Sequence, residues 1–221
     1  MEILDSNIEE IVAHPDFKVN FVTDWKNYSF SELLKTSTVI GDIALIKLRQ
    51  PLNFSEHVQP ICLPTHDRQL AASGRDTAFV AGWGGIRNHS AQAAAHRQRQ
   101  KFPLFLRHVS VTLERAERDP FARTLFGEEH LRQILLAKQD GGSGSCLGDS
   151  GGPLMRKSTG GGGYWFQHGV VTYSFPLKVQ LFPFKPCVHP SSIAGYTRIS
   201  KYCDFIAQTT EGEVKCIDPD E

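Results

Sequence analysis

The sequence predicts an all-β protein, built as a sandwich or a barrel, and two observations carry this prediction. Along the 221 residues, 19 glycines and 12 prolines separate short apolar runs, which is typical of many short strands joined by turns. Apolar residues make up 40% of the chain and charged residues 22%. This ordinary globular composition excludes a disordered chain.

The clearest strand candidate covers residues 38–48. Ile43 and Leu45 fall on one face of such a strand, and Ala44 and Ile46 fall on the other. A strand that is apolar on both faces is expected to be buried on both sides. Further strand candidates, each an apolar run between turn residues, are 77–83, 104–113, 164–173 and 194–199.

Two helices are predicted among the strands. Residues 128–138 carry apolar side chains at helical spacing, with acidic residues in the first turn and a lysine in the last. Residues 200–210 carry an apolar stripe, and Ser200 is a suitable N-cap. We expect this second helix to pack on the β core and the acidic tail that follows it to be exposed.

The charge pattern excludes several classes of function. Lys and Arg together number 24, and Asp and Glu also number 24, which argues against a nucleic-acid binder. No apolar run is long enough to cross a membrane. The basic segment 87–101 is expected to be a solvated surface loop, and the alternative is a polyanion-binding patch at Arg97, Arg99 and Lys101.

Cysteines and glycosylation sequons point to the secretory pathway. Five cysteines are an odd number, so at least one is free or pairs outside this chain. Sequons begin at Asn27, Asn53 and Asn88, which favours a secreted glycoprotein. The first ten residues are acidic and resemble no signal peptide, so we expect the N-terminal part of the protein to lie outside these residues.

The segment Cys146 to Leu154, CLGDSGGPL, carries the strongest chemical signal. Its glycines permit a tight backbone in which successive N–H groups converge on one point. Such a nest can bind the oxyanion of a tetrahedral intermediate, and Ser150 would then be the nucleophile. The alternative is a glycine-rich turn that contains a structural serine.

The full string resembles the active-serine motif of the trypsin-like serine proteases, the family with the chymotrypsin fold. Other stretches resemble that family in the same order along the chain. They are HPDF at 14–17, GDIALIKL at 41–48, VQPICLP at 58–64, AGWG at 81–84, GVVTYS at 169–174 and GYTRISKYCDFI at 195–206. Six ordered motifs make a chance resemblance implausible.

The resemblance implies an all-β, double Greek-key barrel in which the first barrel is incomplete. Residues 1–65 would be the remnant of the first barrel, with the aspartate strand and the connection between the barrels. Residues 66–199 would form the second barrel, which contains the active serine and the specificity pocket. Residues 200–221 would form the C-terminal helix and the acidic tail.

The resemblance also implies roles for individual residues. Ser150 would be the nucleophile, and Asp42 would orient and support the base imidazole. The N–H groups of Gly148 and Ser150 would form the oxyanion hole. Asp149 would receive the new N-terminal ammonium when a zymogen is cleaved. The alternative for Asp42 is an acid that caps the end of a strand. The alternative for Asp149 is a turn residue whose carboxylate is hydrogen-bonded within the turn.

The same resemblance implies partners for Cys146 and Cys62. Cys146 would pair with Cys187, and closing a loop of that size contributes about 4 kcal/mol in the chain-entropy model. Cys62 matches a cysteine that bonds to a segment upstream of the activation site. Cys203 and Cys216 would pair with each other or remain free thiols.

The base histidine of the family is missing from this chain. The Ala-Ala-His-Cys string and the Ile-Val-Gly-Gly activation sequence do not occur. His14 lies too close to Asp42, and its HPDF context matches a later surface segment of the family. The remaining histidines considered match no catalytic position and are expected on the surface or in the core: His57, His89, His96, His108, His130, His168 and His189.

The missing base leaves two interpretations. Because loss of a triad base costs about 10⁶ in turnover, this chain alone is expected to be nearly inactive. It is either part of a longer protease or a non-catalytic homologue that serves as a binding or regulatory module. The presence of Asp42, Gly148, Asp149 and Ser150 favours the protease, since a binding module has no need of them.

The resemblance implies a specificity pocket made of Gly144, Ser145, Thr172, Tyr173, Ser174 and Ala194. Gly144 forms an uncharged floor, which disfavours cleavage after Lys or Arg. Ser174 would narrow the mouth of the pocket, and residues 175–186 are either an insertion at its rim or an error in the sequence. We expect polypeptide substrates and protein inhibitors as partners, with no cofactor and no metal.

Overall fold

We describe the protein from a computed structural model, which covers residues 7–20, 38–68, 70, 76–86, 101–138, 143–158, 162–176 and 192–220. No helix among these residues is long and apolar enough to span a membrane.

A closed barrel of six antiparallel strands dominates the fold, as expected for the chymotrypsin-like class. The strands follow the order β10-β7-β6-β5-β8-β9 around the barrel. They are β5 (Thr77–Gly82), β6 (Arg107–Glu114), β7 (Ile134–Lys138), β8 (Pro153–Lys157), β9 (Trp165–Pro176) and β10 (Ser192–Arg198).

Alternation along the strands builds the barrel core. On β5, Ala78 and Val80 are buried while Thr77 and Phe79 are exposed, which is the period of two that a strand with one buried face requires. The inward side chains of all six strands meet in one cluster, which contains Val111, Leu113, Leu135, Ala137, Leu154, Val171, Ala194 and Tyr196.

The prediction of a helix over residues 128–138 is confirmed only for the first part of this range. An α-helix, α2 (Glu128–Gln133), ends where the barrel strand β7 begins. Four consecutive apolar residues of β7, from Ile134 to Ala137, are all buried. A strand covered on both faces reads as a continuous apolar run and cannot be told from a buried helix by periodicity.

The N-terminal part contributes two strand pairs. β1 (Ile8–Ala13) pairs with β4 (Ala44–Leu48), and β2 (Lys18–Asn20) pairs with β3 (Thr38–Ile40). The expected single strand over 38–48 is therefore interrupted, and it is not buried on both sides, because Ala44 and Ile46 are exposed. The sheet that β1 and β4 form is two-stranded within the described residues, and the side chains of Ile11 and Ile46 on it are exposed.

Two further helices flank the barrel. α1 (Pro120–Leu125) is capped by the Asp119 carboxylate, which accepts a hydrogen bond from the Ala122 N–H at 2.6 Å. α3 (Cys203–Thr209) is the expected C-terminal helix, but a 3₁₀ turn (Ile199–Lys201) precedes it and Ser200 is not its N-cap. Ile206 of α3 packs against Ile43, next to the predicted catalytic aspartate.

Most residues of the acidic tail are exposed, as expected, and the tail is also fixed to the body of the protein. Cys203 and Cys216 form a disulfide, which settles the alternative left open by the sequence. Beyond it, the Ile217 N–H donates to the Leu63 carbonyl at 2.8 Å, and the Thr65 N–H donates to the Ile217 carbonyl at 2.9 Å. Ile217 therefore pairs with the segment that connects the two halves of the chain.

The barrel core predicts a large difference between two leucine substitutions. Leu113 on β6 is fully buried, whereas Leu104, just before this strand, is 92% exposed. Leu113→Ala should lower the free energy of unfolding by about 2–5 kcal/mol because it leaves a cavity. Leu104→Ala should leave it nearly unchanged in urea titrations. Equal effects of the two substitutions would contradict this account of the core.

Candidate active site

Asp42 lies in the break between β3 and β4, and side chains of the barrel hold it there. The Thr172 hydroxyl on β9 donates a hydrogen bond to Asp42 Oδ2. The Thr197 hydroxyl on β10 donates to the Asp42 carbonyl at 2.9 Å. Gly41 makes the break possible, because its φ of +65° and a space bounded by His14 and Phe17 leave no room for a side chain.

Helix α2 supports the same break from the other side. The Gln133 side-chain oxygen accepts hydrogen bonds from the Gly41 N–H at 3.3 Å and the Tyr202 hydroxyl at 2.7 Å. Two residues before Gly41, within β3, the Val39 carbonyl lies 2.8 Å from His130 Nδ1. The residues on either side of Ile40 are therefore tied to one short helix.

His130 also connects this break to the predicted specificity pocket. A carbonyl can only accept, so Nδ1 carries the proton, and Nε2 accepts from the Tyr173 hydroxyl at 2.6 Å. His130 is 2% exposed, and burial lowers its pKa, which keeps the imidazole neutral. The Tyr173 ring stacks on His130, and burial raises the pKa of its hydroxyl, so it stays a donor.

Ser150 is exposed in a loop that two glycines shape. Gly148 and Gly151 have φ values of +96° and +81°, which only glycine adopts readily. The Gly151 N–H donates to the Val171 carbonyl at 2.9 Å, and the Val171 N–H donates to the Gly152 carbonyl at 2.9 Å. This pair of hydrogen bonds fixes the serine loop to β9.

The two N–H groups predicted to form the oxyanion hole can donate hydrogen bonds to a bound oxygen. No described residue accepts a hydrogen bond from the N–H of Gly148 or Ser150. The neighbouring Asp149 N–H is used within the loop, where it donates to the Cys146 carbonyl at 2.9 Å. The Phe102 ring lies beside Gly148, where a Cβ would be 3.3 Å from it.

The carboxylate of Asp149 is held by two amides. The Gly84 N–H donates to Oδ1 at 2.7 Å, and the Cys146 N–H donates to Oδ2 at 2.8 Å. A Cβ at Gly82 or Gly84 would collide with this carboxylate. The glycines of the AGWG segment are therefore required by the close approach of Asp149, which explains that segment physically.

β9 brings the predicted catalytic residues together. Val171 bonds the serine loop, and the next residue, Thr172, bonds the Asp42 carboxylate. The contact of Thr172 with Asp42 was not predicted from the sequence, which indicated Thr172 only as a residue of the pocket wall. Nothing in the local sequence indicates that contact, because the two residues are far apart in the chain and meet only when β9 joins the barrel.

The described histidines do not contact the Asp42 carboxylate. His14 Nδ1 accepts the Asp16 N–H at 3.2 Å, and its ring packs edge-on against Tyr202 and Phe205. His14 is thus a packing residue of the helix α3 region. Both nitrogens of His130 are used as described above, and His89, His96 and His189 lie outside the described residues.

Among the residues predicted for the specificity pocket, Thr172 and Tyr173 lie within β9, Ala194 lies within β10, and Gly144 and Ser145 lie in the loop before β8. Ser145 is 3% exposed and Ala194 is fully buried, as is Tyr196 two residues later on β10. Burial raises the pKa of Tyr196 to about 12, so its hydroxyl remains neutral. Gly144 is half-buried. The side chain of Ser174 and residues 177–186 lie outside the description.

The predicted cysteine pairings lie only partly within the described residues. Cys146 is disulfide-bonded, but its expected partner Cys187 lies outside the described residues. Cys62 is a half-buried free thiol.

Of the three glycosylation sequons, the structure describes only that of Asn53, and Asn53 is exposed. The basic residues Arg97 and Arg99 lie outside the description, as do the other sequon asparagines, Asn27 and Asn88.

Comparison with known proteins adds independent information. The family model described as Trypsin matches residues 7–206. The chain is 28% identical over 207 residues to phenoloxidase-activating factor 3 of Holotrichia diomphalia. It is 30% identical over 210 residues to serine protease 7 of Drosophila melanogaster and 31% identical over 207 residues to vitamin K-dependent protein C of Oryctolagus cuniculus.

These alignments cover 92%, 94% and 92% of this chain but only 47%, 43% and 37% of the respective relatives. The chain therefore spans less than half the length of these curated relatives.

The contact between Thr172 and Asp42 can be tested by removing one hydroxyl. Thr172→Val keeps the shape of the side chain but leaves a half-buried carboxylate without its donor. It should lower the free energy of unfolding by about 1–3 kcal/mol, and Thr172→Ser should recover most of the loss. The matched control is Thr77→Val on the exposed side of β5. Equal stability of both valine variants in denaturant titrations would argue against the contact.

Proposed function

The chain belongs to the trypsin family of serine proteases, and we propose that it carries the nucleophile, Ser150, and the orienting acid, Asp42, of a secreted serine endopeptidase. The observation that best supports this proposal is their common attachment to β9, through Val171 and Thr172. The loop that carries the nucleophile and the acid that orients the base are thereby fixed to consecutive positions of one strand.

Acyl transfer gives each of these groups a task. Ser150 Oγ attacks the scissile carbonyl carbon and forms a new C–O bond, while its proton passes to an imidazole base. The negative charge that develops on the carbonyl oxygen is stabilised by the N–H groups of Gly148 and Ser150. The amine leaves with a proton from the imidazole, and water then hydrolyses the acyl-enzyme.

We propose that the base is a histidine supplied by sequence outside these 221 residues. Support comes from the described histidines, because none of them contacts Asp42. The half-buried carboxylate of Asp42 accepts a hydrogen bond from the Thr172 hydroxyl. Its second oxygen would accept a hydrogen bond from the N–H of the imidazole. Asp42 would then fix the tautomer of that imidazole and stabilise its charged form.

Asp149 is proposed as the acid that an activating cleavage engages. Two amides already hold its carboxylate between Gly84 and Cys146, and no cationic side chain among the described residues pairs with it. A new N-terminal ammonium would supply the missing positive charge. Because Asp149 lies between Gly148 and Ser150, whose N–H groups form the proposed oxyanion hole, such a pairing would stabilise the loop in its working conformation.

The substrates are proposed to be polypeptides, with protein inhibitors as further partners. The half-buried Cys62 is the proposed attachment point for an upstream activation segment, and exposed Asn53 is a proposed glycosylation site. Both features fit a secreted zymogen.

The nucleophile is tested by covalent labelling of the full-length, activated protein. A fluorophosphonate should form a phosphorus–oxygen bond to Ser150 Oγ with loss of fluoride, and peptide mapping should locate the adduct there. Ser150→Ala should abolish labelling, and the matched control Ser143→Ala, on an exposed serine nearby, should not. A folded, activated protein that is never labelled would instead indicate the non-catalytic binding module.

The pocket floor is tested by changing Gly144. With its uncharged floor, the activated protein should cleave after large apolar residues with a higher kcat/KM than after Lys or Arg. Gly144→Asp should raise relative kcat/KM for Lys and Arg substrates by roughly 10–100-fold, since a charge-assisted hydrogen bond is gained. Gly144→Asn controls for the added volume. A wild-type preference for basic residues would contradict the assignment of the floor.

A further inference from the structure

His66 and the C-terminal tail meet at a place that the catalytic proposal does not use. The tail is hydrogen-bonded to the segment just before His66 through Ile217, which bonds Leu63 at 2.8 Å and Thr65 at 2.9 Å. This pairing sets Asp218 and Asp220 beside the His66 ring. No role for His66 was predicted from the sequence. About 150 residues of chain separate it from the two aspartates, so they meet only in the folded protein.

The three side chains present ligand atoms at the spacing that a metal ion requires. His66 Nε2 lies 3.3 Å from Asp218 Oδ1 and 3.8 Å from Asp220 Oδ2, and all three atoms lie within 4.8 Å of one another. Ligands bonded at about 2.0–2.1 Å around a tetrahedral ion lie about 3.3 Å apart. A charge-assisted hydrogen bond would instead bring the atoms to about 2.7–2.9 Å.

The backbone around these side chains is already fixed. The disulfide between Cys203 and Cys216 ends immediately before Ile217, and the Ser158 hydroxyl donates to the Pro219 carbonyl at 2.9 Å. Asp218 Oδ1 also accepts the Asp220 N–H at 2.9 Å, which orients one carboxylate. Little conformational freedom would be lost when an ion binds, so the segment is preorganised for binding.

A pocket of about 30 Å³ opens beside the cluster and contains a second histidine. His66, Asp220 and His168 line it together. His168 is 6% exposed, and its Nδ1 has no hydrogen-bond partner among the described residues. Burial, followed by the charges of Arg156 and His66, lowers the pKa of His168 to about 4. An unpartnered imidazole nitrogen in this pocket can hydrogen-bond a metal-bound water.

Two of the nearby guanidinium groups, those of Arg156 and Arg198, have acidic partners of their own. Arg156 pairs with Asp76 at 3.3 Å, and Arg198 pairs with Asp67 at 3.0 Å. Arg68 and Lys157 also line the pocket and are exposed. Among the described residues, His66 is the side chain that pairs with Asp218 and Asp220, and the charge of Arg68 also acts on Asp218. A divalent cation would satisfy both carboxylates at once.

We propose that His66, Asp218 and Asp220 form a zinc site, with water as the fourth ligand and His168 facing that water in the pocket. One imidazole nitrogen and two carboxylate oxygens form a donor set that Zn²⁺ accepts. The ion joins the tail to the segment that connects the two halves of the chain, so it stabilises the docked position of the tail. This site is independent of the catalytic proposal.

The test is metal binding to the chelator-treated full-length protein. Titration calorimetry with Zn²⁺ should show one saturable site that His66→Gln abolishes or weakens. Co²⁺ at the same site should give the visible absorption of a four-coordinate ion. Asp218→Asn and Asp220→Asn should each raise the dissociation constant at least about tenfold, because the loss of even an outer partner costs 10–100-fold.

Matched controls distinguish this site from general metal binding. His57→Gln and Asp204→Asn, both at exposed positions, should bind Zn²⁺ like the wild type. Thermal unfolding without metal reports whether each variant folds, and Zn²⁺ should raise the melting temperature of the wild type but not of Asp218→Asn. The absence of saturable binding, or binding that survives in the Asp218 and Asp220 variants, would show that His66 is only ion-paired and would overturn the proposal.

Discussion

The hydrogen bond from Thr172 to the Asp42 carboxylate is the contact on which the arrangement of this protein depends. It joins the N-terminal strand pairs to β9 of the barrel. The adjacent residue, Val171, holds the serine loop with a pair of backbone hydrogen bonds. One strand therefore sets the relative position of two loops that are widely separated in the sequence, and the closed barrel gives this strand its rigidity.

Two layers of contacts keep Asp42 in place around that bond. Thr197 holds its backbone from β10, while Gln133 of α2 holds the preceding Gly41. His130 then links Val39 to Tyr173, so that the same short helix contacts both the aspartate segment and the proposed pocket wall. Buried polar groups are costly unless they are satisfied, and each of these has a partner. The network therefore specifies one geometry.

The sequence predicted the fold class and the segments that carry the chemistry, because these depend on local patterns. Glycine spacing around Ser150 reports backbone angles, and alternation along β5 reports burial. The sequence could not predict contacts that arise only when distant strands meet, such as Thr172 with Asp42 or His66 with the tail. The prediction of a helix at β7 was wrong, because a fully buried strand such as Ile134 to Ala137 does not alternate between apolar and polar residues.

The most direct test of the central claim is a crystal structure of the full-length, activated protein after reaction with a fluorophosphonate. We expect phosphorus bonded to Ser150 Oγ and a phosphoryl oxygen about 2.7–3.1 Å from the N–H groups of Gly148 and Ser150. Asp42 should bond both Thr172 and a histidine imidazole. An adduct on another residue, or an Asp42 carboxylate turned away from Thr172, would contradict the account.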